Sequence, residues 1–464
     1  MRRSPHALRA VFGAVLAWLA ATCHCLSAAA PPEPWNIEGL SPGPGQNAFS
    51  LPFEFLPREL RRAHAVGNSF FNKAWIPEPG SPSSRDGLGP LYNAVSCSSC
   101  HLRDGRGVPE STANRISGLV LRPSVPGKTP RGGPRPHPIF GSQIATQSIL
   151  GPQPEAQIVT RYRTKRGLYP DGFPYELRMP TYQLQTATEG LSPPAEIVLG
   201  ARLAPPVFGL GLLEAIPEST LLALSDPDDS NGDGISGRVN RVWHEEEQVL
   251  RIGRFGWKAN QPTLRQQIAA AFLNDIGITS HLYPREALTP EQHRRLSTFM
   301  DDTDVELEER ILNRIVIYQQ TLAPPPRRSL PTEHPSSGQR LFRELQCAAC
   351  HRETLSTGAH PISELTNRTI HPYTDLLLHD LGPGLADDRP DFAATGSEWR
   401  TAPLWGIGLT KTVSGAEHYL HDGRARNLEE AILWHAGEAT ASREGFRNLS
   451  ASDRQQLIEF LQSL

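Results

Sequence analysis

The sequence predicts a mainly α fold with long loops, divided into two domains of one type, the first enlarged by insertions. Three observations point there. The motif Cys-x-x-Cys-His occurs once in each half, at Cys97-Ser-Ser-Cys100-His101 and Cys347-Ala-Ala-Cys350-His351. Each half closes with a segment of helical periodicity, at 304–322 and 452–464. The 39 Gly and 43 Pro leave much of the remainder to structured loops.

Residues 1–30 read as a secretory signal. Arg2, Arg3 and Arg9 precede an apolar run at 11–21, and Ser27-Ala28-Ala29-Ala30 offers a small-residue cleavage site before Pro31. The run is short for a bilayer and no later segment is apolar enough to cross one, so the mature chain is expected in the periplasm without a membrane span. A formal net charge of -3 with 20% charged residues gives no reason to expect nucleic acid or an anionic surface as partner.

Four of the six cysteines lie beyond the signal, and all four belong to the two motifs. In an exported chain this pattern attaches haem c: two thioethers fix the vinyl groups, and the adjacent histidine sits under the iron as its proximal ligand. A redox Cys-x-x-Cys prefers a βαβ setting, which neither motif has, and a four-cysteine zinc site needs no histidine directly after each pair. The composition yields the motif by chance on the order of 0.003 times per chain, so two copies argue for two haems c. His101 and His351 are the expected proximal ligands.

The halves are therefore two cytochrome c-like haem domains. The first spans 31–323, opening on a Pro/Gly-rich arm at 31–48 and ending in the 304–322 helix, where Val305, Ile311, Ile315 and Leu322 recur near helical spacing. Residues 324–337 are a linker by composition, and the second domain spans 338–464. A helix from Gly338 leads to its motif. Arg202 and Arg400 open similar blocks, Arg202-Leu-Ala-Pro205 and Arg400-Thr-Ala-Pro403, suited to holding haem propionates.

In a cytochrome c fold the sixth ligand lies just before the last helix. There Asn427 is a fair N-cap for a helix carrying Leu428, Ala431, Ile432 and His435 on one side, and Gly437 lets the chain turn away. His435 is the expected sixth ligand of the second haem, with His379 as its rival. The three methionines, Met1, Met179 and Met300, all lie outside the second domain. Aligning the Arg202 and Arg400 blocks sets residues 217–225 opposite the helix that ends in His435, and no histidine stands there. The first iron is thus expected to keep an open face, with Glu214 and Glu218 as candidate acid–base groups, unless His64 or His137 closes it. Glu218 also suits a helix N-terminus.

Asp229-Ser-Asn231-Gly-Asp233-Gly234-Ile235 has the ligand order of a calcium loop: Asp229, Asn231, Asp233 and the Ile235 carbonyl would bind, while Asn240 stands where a bidentate Glu is usual. Trp257 and Trp405 are candidates for carrying electrons between the haems, beside the commoner role of core tryptophans.

The blocks Gly87-Leu-Gly-Pro-Leu-Tyr-Asn93, Gly209-Leu-Gly-Leu-Leu-Glu214-Ala-Ile-Pro-Glu218, Asn231-Gly-Asp-Gly-Ile-Ser-Gly-Arg238, Gly253-Arg-Phe-Gly-Trp-Lys258, Tyr373-Thr-Asp-Leu-Leu-Leu-His379-Asp380 and Leu420-His-Asp-Gly-Arg-Ala425 resemble the bacterial di-haem oxidoreductases, described as peroxidases. The family is similar, more distantly, to di-haem cytochrome c peroxidases and to the di-haem enzyme that matures methylamine dehydrogenase. The resemblance implies that the N-terminal haem meets peroxide while the C-terminal haem passes in electrons. It places an axial ligand at His435, where Met is more usual, and does not itself supply Glu214.

The expected function is H2O2 reduction with electrons from a small cytochrome c or cupredoxin. The alternatives are a non-catalytic electron-transfer cytochrome and peroxide-dependent oxidative modification of a partner protein.

Overall fold

Two pairs of crossed helices frame the chain, one pair around each Cys-x-x-Cys-His turn. In the first half α1 (Arg58–Asn72) crosses α3 (Glu309–Thr321), and α2 (Leu264–Ala271) packs on α3. In the second half α4 (Pro335–Glu344) crosses α6 (Ala451–Ser463), and α5 (Leu428–Trp434) packs beside α6. Each crossing turns on a glycine. A Cβ on Gly67 would strike the backbone oxygen of Arg314, and one on Gly338 that of Gln456, so only a bare Cα lets the backbones approach so closely. The computed structural model describes residues 45–81, 84–112, 115–186, 197–299, 305–329 and 335–464; the signal expected at 1–30 lies outside them. Among the described residues no helix is long and apolar enough to cross a membrane.

The expectation of a mainly α fold is corrected: the chain is 33% helical and 21% strand, a mixed α/β architecture of several small sheets. The helices belong to the two cores and the strands to what surrounds them. β1 (Leu119–Lys128) pairs antiparallel with β4 (Val198–Leu203), burying Leu119, Leu121, Ala201 and Leu203. Between them β2 (Ala156–Leu168) and β3 (Pro174–Thr186) make a two-stranded ribbon in continuous register. Its second strand alternates exposed polar residues with half-buried apolar or aromatic ones in Thr181-Tyr182-Gln-Leu184-Gln185, the period-2 pattern of a strand with one face covered. That alternation was legible in the sequence. β5 (Arg241–His244) with β6 (Val249–Ile252), and β7 (Leu378–Asp380) with β8 (Glu398–Arg400), complete the larger pairs.

Trp35–Leu464 forms one compact unit, so the halves on either side of 324–337 are packed together. The ribbon contributes: Tyr169 donates to Glu429 at 2.5 Å and Tyr182 to Asp422 at 3.0 Å. The backbone exchanges contacts too. Leu203 N–H donates to the His421 carbonyl at 2.7 Å, and Arg400 N–H to the Trp257 carbonyl at 2.9 Å. Each Arg-containing block therefore lies against a loop of the opposite half.

Candidate functional site

Each Cys-x-x-Cys-His turn opens on a largely apolar cavity. The four cysteines are unpaired, and burial pushes the thiols of Cys97, Cys100 and Cys347 up to about 12, so none is poised as a reactive thiolate. His101 Nδ1 lies 2.7 Å from the Pro205 carbonyl and His351 Nδ1 lies 2.9 Å from that of Tyr373. Donation through Nδ1 fixes the tautomer and leaves Nε2 as a lone pair for a metal. Burial holds both imidazoles neutral, down to about 4.

Cys97, Cys100 and His101 line the first cavity with Arg202, Arg254, Gln267, Ile268, Ala271 and Asp275. The second is lined by Cys347, Cys350 and His351 with His421, Ala431, Ile432 and His435. Arg106, Trp257 and Arg400 line both. Buried guanidinium nitrogens at the first cavity, Arg106 Nε and Arg202 Nη2, have no hydrogen-bond partner in the protein. Buried orphan donors are costly, and the carboxylates of a haem would satisfy them. The residues present fit two haems.

One wall of each cavity is built the same way in both halves. Phe255 bridges to Gln261 and Tyr419 to Ala425; two residues later Thr263 and Asn427 cap α2 and α5 by accepting from the N–H groups of Gln266 and Glu430. In this register Gln267 corresponds to Ala431, Ile268 to Ile432 and Ala271 to His435, and every one of these lines its cavity. His435 Nδ1 is 2.8 Å from the Ala431 carbonyl, which leaves its Nε2 as a lone pair, and it lines the second cavity together with His351. In the first half a methyl group stands where His435 stands in the second. The helical counterpart of α5 is thus α2, not residues 217–225 as the repeat alignment had it. The spacing misled because α-helical turns, the 226–237 loop and the β5–β6 hairpin are inserted between the Arg202 block and α2.

His379 lies within the same region but is committed elsewhere. Its Nε2 is 2.9 Å from Asp375 and its Nδ1 2.7 Å from Glu438. Burial opposes its protonation, but the hydrogen bonds to Asp375, Cys350 and Glu438 win and raise it to about 12. Both ring nitrogens are taken. We expect His379→Gln to leave the low-spin ferric signal of the second haem in place, measured by electron paramagnetic resonance; loss of that signal would restore His379 as the axial candidate. Cys350, Asp375 and His379 also form the one group among the described residues whose ligand atoms are close enough to share an ion. With His379 cationic between two carboxylates, this is a charge cluster.

Glu214 and Glu218 are not among the lining residues of either cavity. Glu214 accepts from Leu264 N–H at 2.8 Å, from Gln320 at 2.6 Å and from His360 at 3.5 Å, tying the start of α2 to α3. Burial would raise its carboxyl, but the His360, Leu264 and Gln320 hydrogen bonds hold it below the usual range. Glu218 begins the helix Glu218–Leu224. Neither His64 nor His137 is among the residues lining the first cavity; His64 Nδ1 meets Thr321 Oγ1 at 2.8 Å, and His137 Nδ1 accepts from Ile139 and Phe140 N–H. Arg202 and Arg400 do reach the cavities. Trp257 stands between the two cavities, its Nε1 donating to the Leu203 carbonyl at 2.7 Å, whereas Trp405 lines the first alone.

The side chains of the expected calcium loop also hold the turn itself. Asp229 accepts from Gly234 N–H, Asn231 from Asp233 N–H and Asp233 from Ile235 N–H, so these side chains brace their own turn. Asn240, at the closing position, is buried and spends its amide on the Lys258 and Asp391 carbonyls and the Ala393 N–H. The Ile235 residue faces the second cavity. Sequence reading quoted His421 inside a family block without giving it a role, and here it stacks on Trp399 with ring centroids 3.7 Å apart; it missed Asp275, which carries no short motif that would have marked it.

No curated protein matches this chain. Among solved structures, hydrazine synthase of Kuenenia stuttgartiensis, pressurised with 20 bar xenon, is similar over 93% of this chain and 100% of its own at 14% identity, with a TM-score of 0.31 too low to bear on fold or activity. Residues 39–124 and 128–464 match the family described as "Di-haem oxidoreductase, putative peroxidase". With a cavity at each Cys-x-x-Cys-His turn and a family match over nearly its whole length, the chain belongs to the di-haem oxidoreductases and uses two haems.

Proposed function

We propose that the protein is a periplasmic peroxidase, reducing H2O2 at the N-terminal haem with electrons passed through the C-terminal haem. The haems are of the c type, held by thioethers from Cys97 and Cys100 and from Cys347 and Cys350, with His101 and His351 as proximal ligands. The observation that carries the reading is the inequality of the two distal walls: His435 in one half, Ala271 in the other. When bound, the haem iron supplies the redox chemistry of peroxide cleavage.

The chain's residues divide the remaining work. His435 closes the second haem to small molecules and restricts it to electron transfer. Ala271 leaves room for peroxide over the first. Arg202 and Arg400 orient the propionates, and Trp257, which lines both cavities, offers an aromatic path between the two sites. The donor is a small redox protein, a cytochrome c or a cupredoxin. Export rests on the signal-like residues 1–30.

The test is an electron paramagnetic resonance spectrum of the oxidised holoprotein beside a peroxide assay. One high-spin and one low-spin ferric signal with peroxide turnover are expected. Two low-spin signals and no turnover, even after half-reduction, would make the protein an electron carrier instead.

A further inference from the structure

We propose that Asp275 is the acid–base group over the open face of the first haem; this deepens the peroxidase reading and rests on it. The residue comes from the same wall as Ala271. Past α2 the chain enters a π-helical turn, Phe272–Ile276, and the wider turn brings a residue four positions on back to the same side. Gln267, Ala271 and Asp275 line the first cavity in a row. Among the described residues lining that cavity, Asp275 is the sole carboxylate.

Its orientation is fixed from behind. Gln143 Nε2 donates to Asp275 Oδ1 at 2.6 Å, and the same amide is held by Asn93 Oδ1 at 3.0 Å and the Asn274 carbonyl at 2.9 Å. No hydrogen bond among the described residues reaches the other carboxylate oxygen. The charged and titratable groups around it are Arg122 from β1, and Cys97 and Cys100 from the motif turn. Burial raises the Asp275 carboxyl above its ordinary value, and the Gln143 hydrogen bond and the Arg122 charge offset this only in part. A carboxyl moved toward the working pH is better suited to both accept and return a proton.

The assigned step balances. The carboxylate takes the proton from one peroxide oxygen and returns it to the other as the O–O bond breaks, and that second oxygen leaves as water. The oxygen left behind takes up two electrons from the redox-protein donor and two protons from solvent, giving the second water. Glu214 cannot do this, since its oxygens are spent on Leu264, Gln320 and His360.

Cyanide tests the proton transfer without turnover, because hydrogen cyanide must lose a proton to bind a ferric haem as the anion. Stopped-flow binding of cyanide to the oxidised full-length holoprotein is compared for the native chain, Asp275→Asn and Asp275→Glu, with haem content measured on each. The native rate should fall as pH drops and the carboxylate is protonated. Asp275→Asn should bind about a hundredfold more slowly with a flat pH profile, while Asp275→Glu keeps the pH dependence with a shifted midpoint. Unaltered binding in Asp275→Asn, or a native rate indifferent to pH, overturns the assignment. Failure of the native protein to bind cyanide at all sinks the open-haem reading instead. Should Asp275→Asn lose haem, the native profile and Asp275→Glu decide.

Discussion

His435→Ala is expected to turn the low-spin ferric signal of the second haem into a high-spin one and to cut donor-driven peroxide turnover by roughly 100-fold. Even outer-shell partners of metal ligands are worth about 10–100-fold, and His435 is proposed as a ligand itself. The helix α5 delivers it: the Asn427 cap starts the helix, and the Ala431 carbonyl holds Nδ1 at 2.8 Å at its end. Removing the imidazole leaves the proximal His351 alone, as His101 is proposed to be in the first half. The haem should stay bound, because its thioethers and proximal ligand are untouched. A single-turnover experiment separates the effects: with both haems reduced beforehand by dithionite, the first haem should still consume peroxide at nearly the native rate. A spectrum unchanged by the substitution would remove His435 from the iron.

The largest expected effect on stability comes from Asp387→Asn. Asp387 is buried between two cations, with Arg202 at 2.6 Å and Lys258 at 3.3 Å, and both cations also lie over the Trp399 ring. Lys258 is fully buried, its ammonium reaching the Thr395, Gly396 and Glu398 carbonyls. Deleting the shared carboxylate leaves buried positive charge uncompensated, a loss of about 3–5 kcal/mol. Burial has already lowered Lys258 to about 8, so it can shed its proton in the variant, which places the loss toward the lower end. Burial would raise the Asp387 carboxyl, but Arg202 and Lys258 hold it below its ordinary value. A depressed folded-state value contributes stability that is present above the unfolded value, about 3.9, and is lost as pH falls through the folded one. Urea denaturation at neutral pH should show the loss, and an acid titration should show the gap between the native protein and Asp387→Asn narrowing as pH falls below about 4. Equal midpoints for the two proteins would mean that the triad carries no net stability.

What could be read without the fold was set by short spacings. The proposed proximal ligand follows the second cysteine directly, so both proposed haem attachments were visible as motifs, and His435 was reachable because cap, helix and following glycine are contiguous. The family blocks are local in the same sense.

The remainder was decided by contacts between distant residues. Glu214 looked available until α2 and α3 closed on it. His379 looked like a ligand until Asp375 and Glu438 met its two nitrogens. The first distal wall was misplaced because the Arg202 and Arg400 blocks are similar while the insertions behind them are not, and each block packs against the other half. The strands of the first half were overlooked for a related reason: a two-stranded ribbon such as β2–β3 gains most of its stability from what covers it, here α5 and its neighbours, which sequence alone does not bring near. Residue type and local spacing therefore determined where the two haems are proposed to attach. Tertiary packing decided which cavity wall carries a histidine, which carboxylate lines the first cavity and which charges must share burial, because those depend on the register of halves that are far apart in the chain.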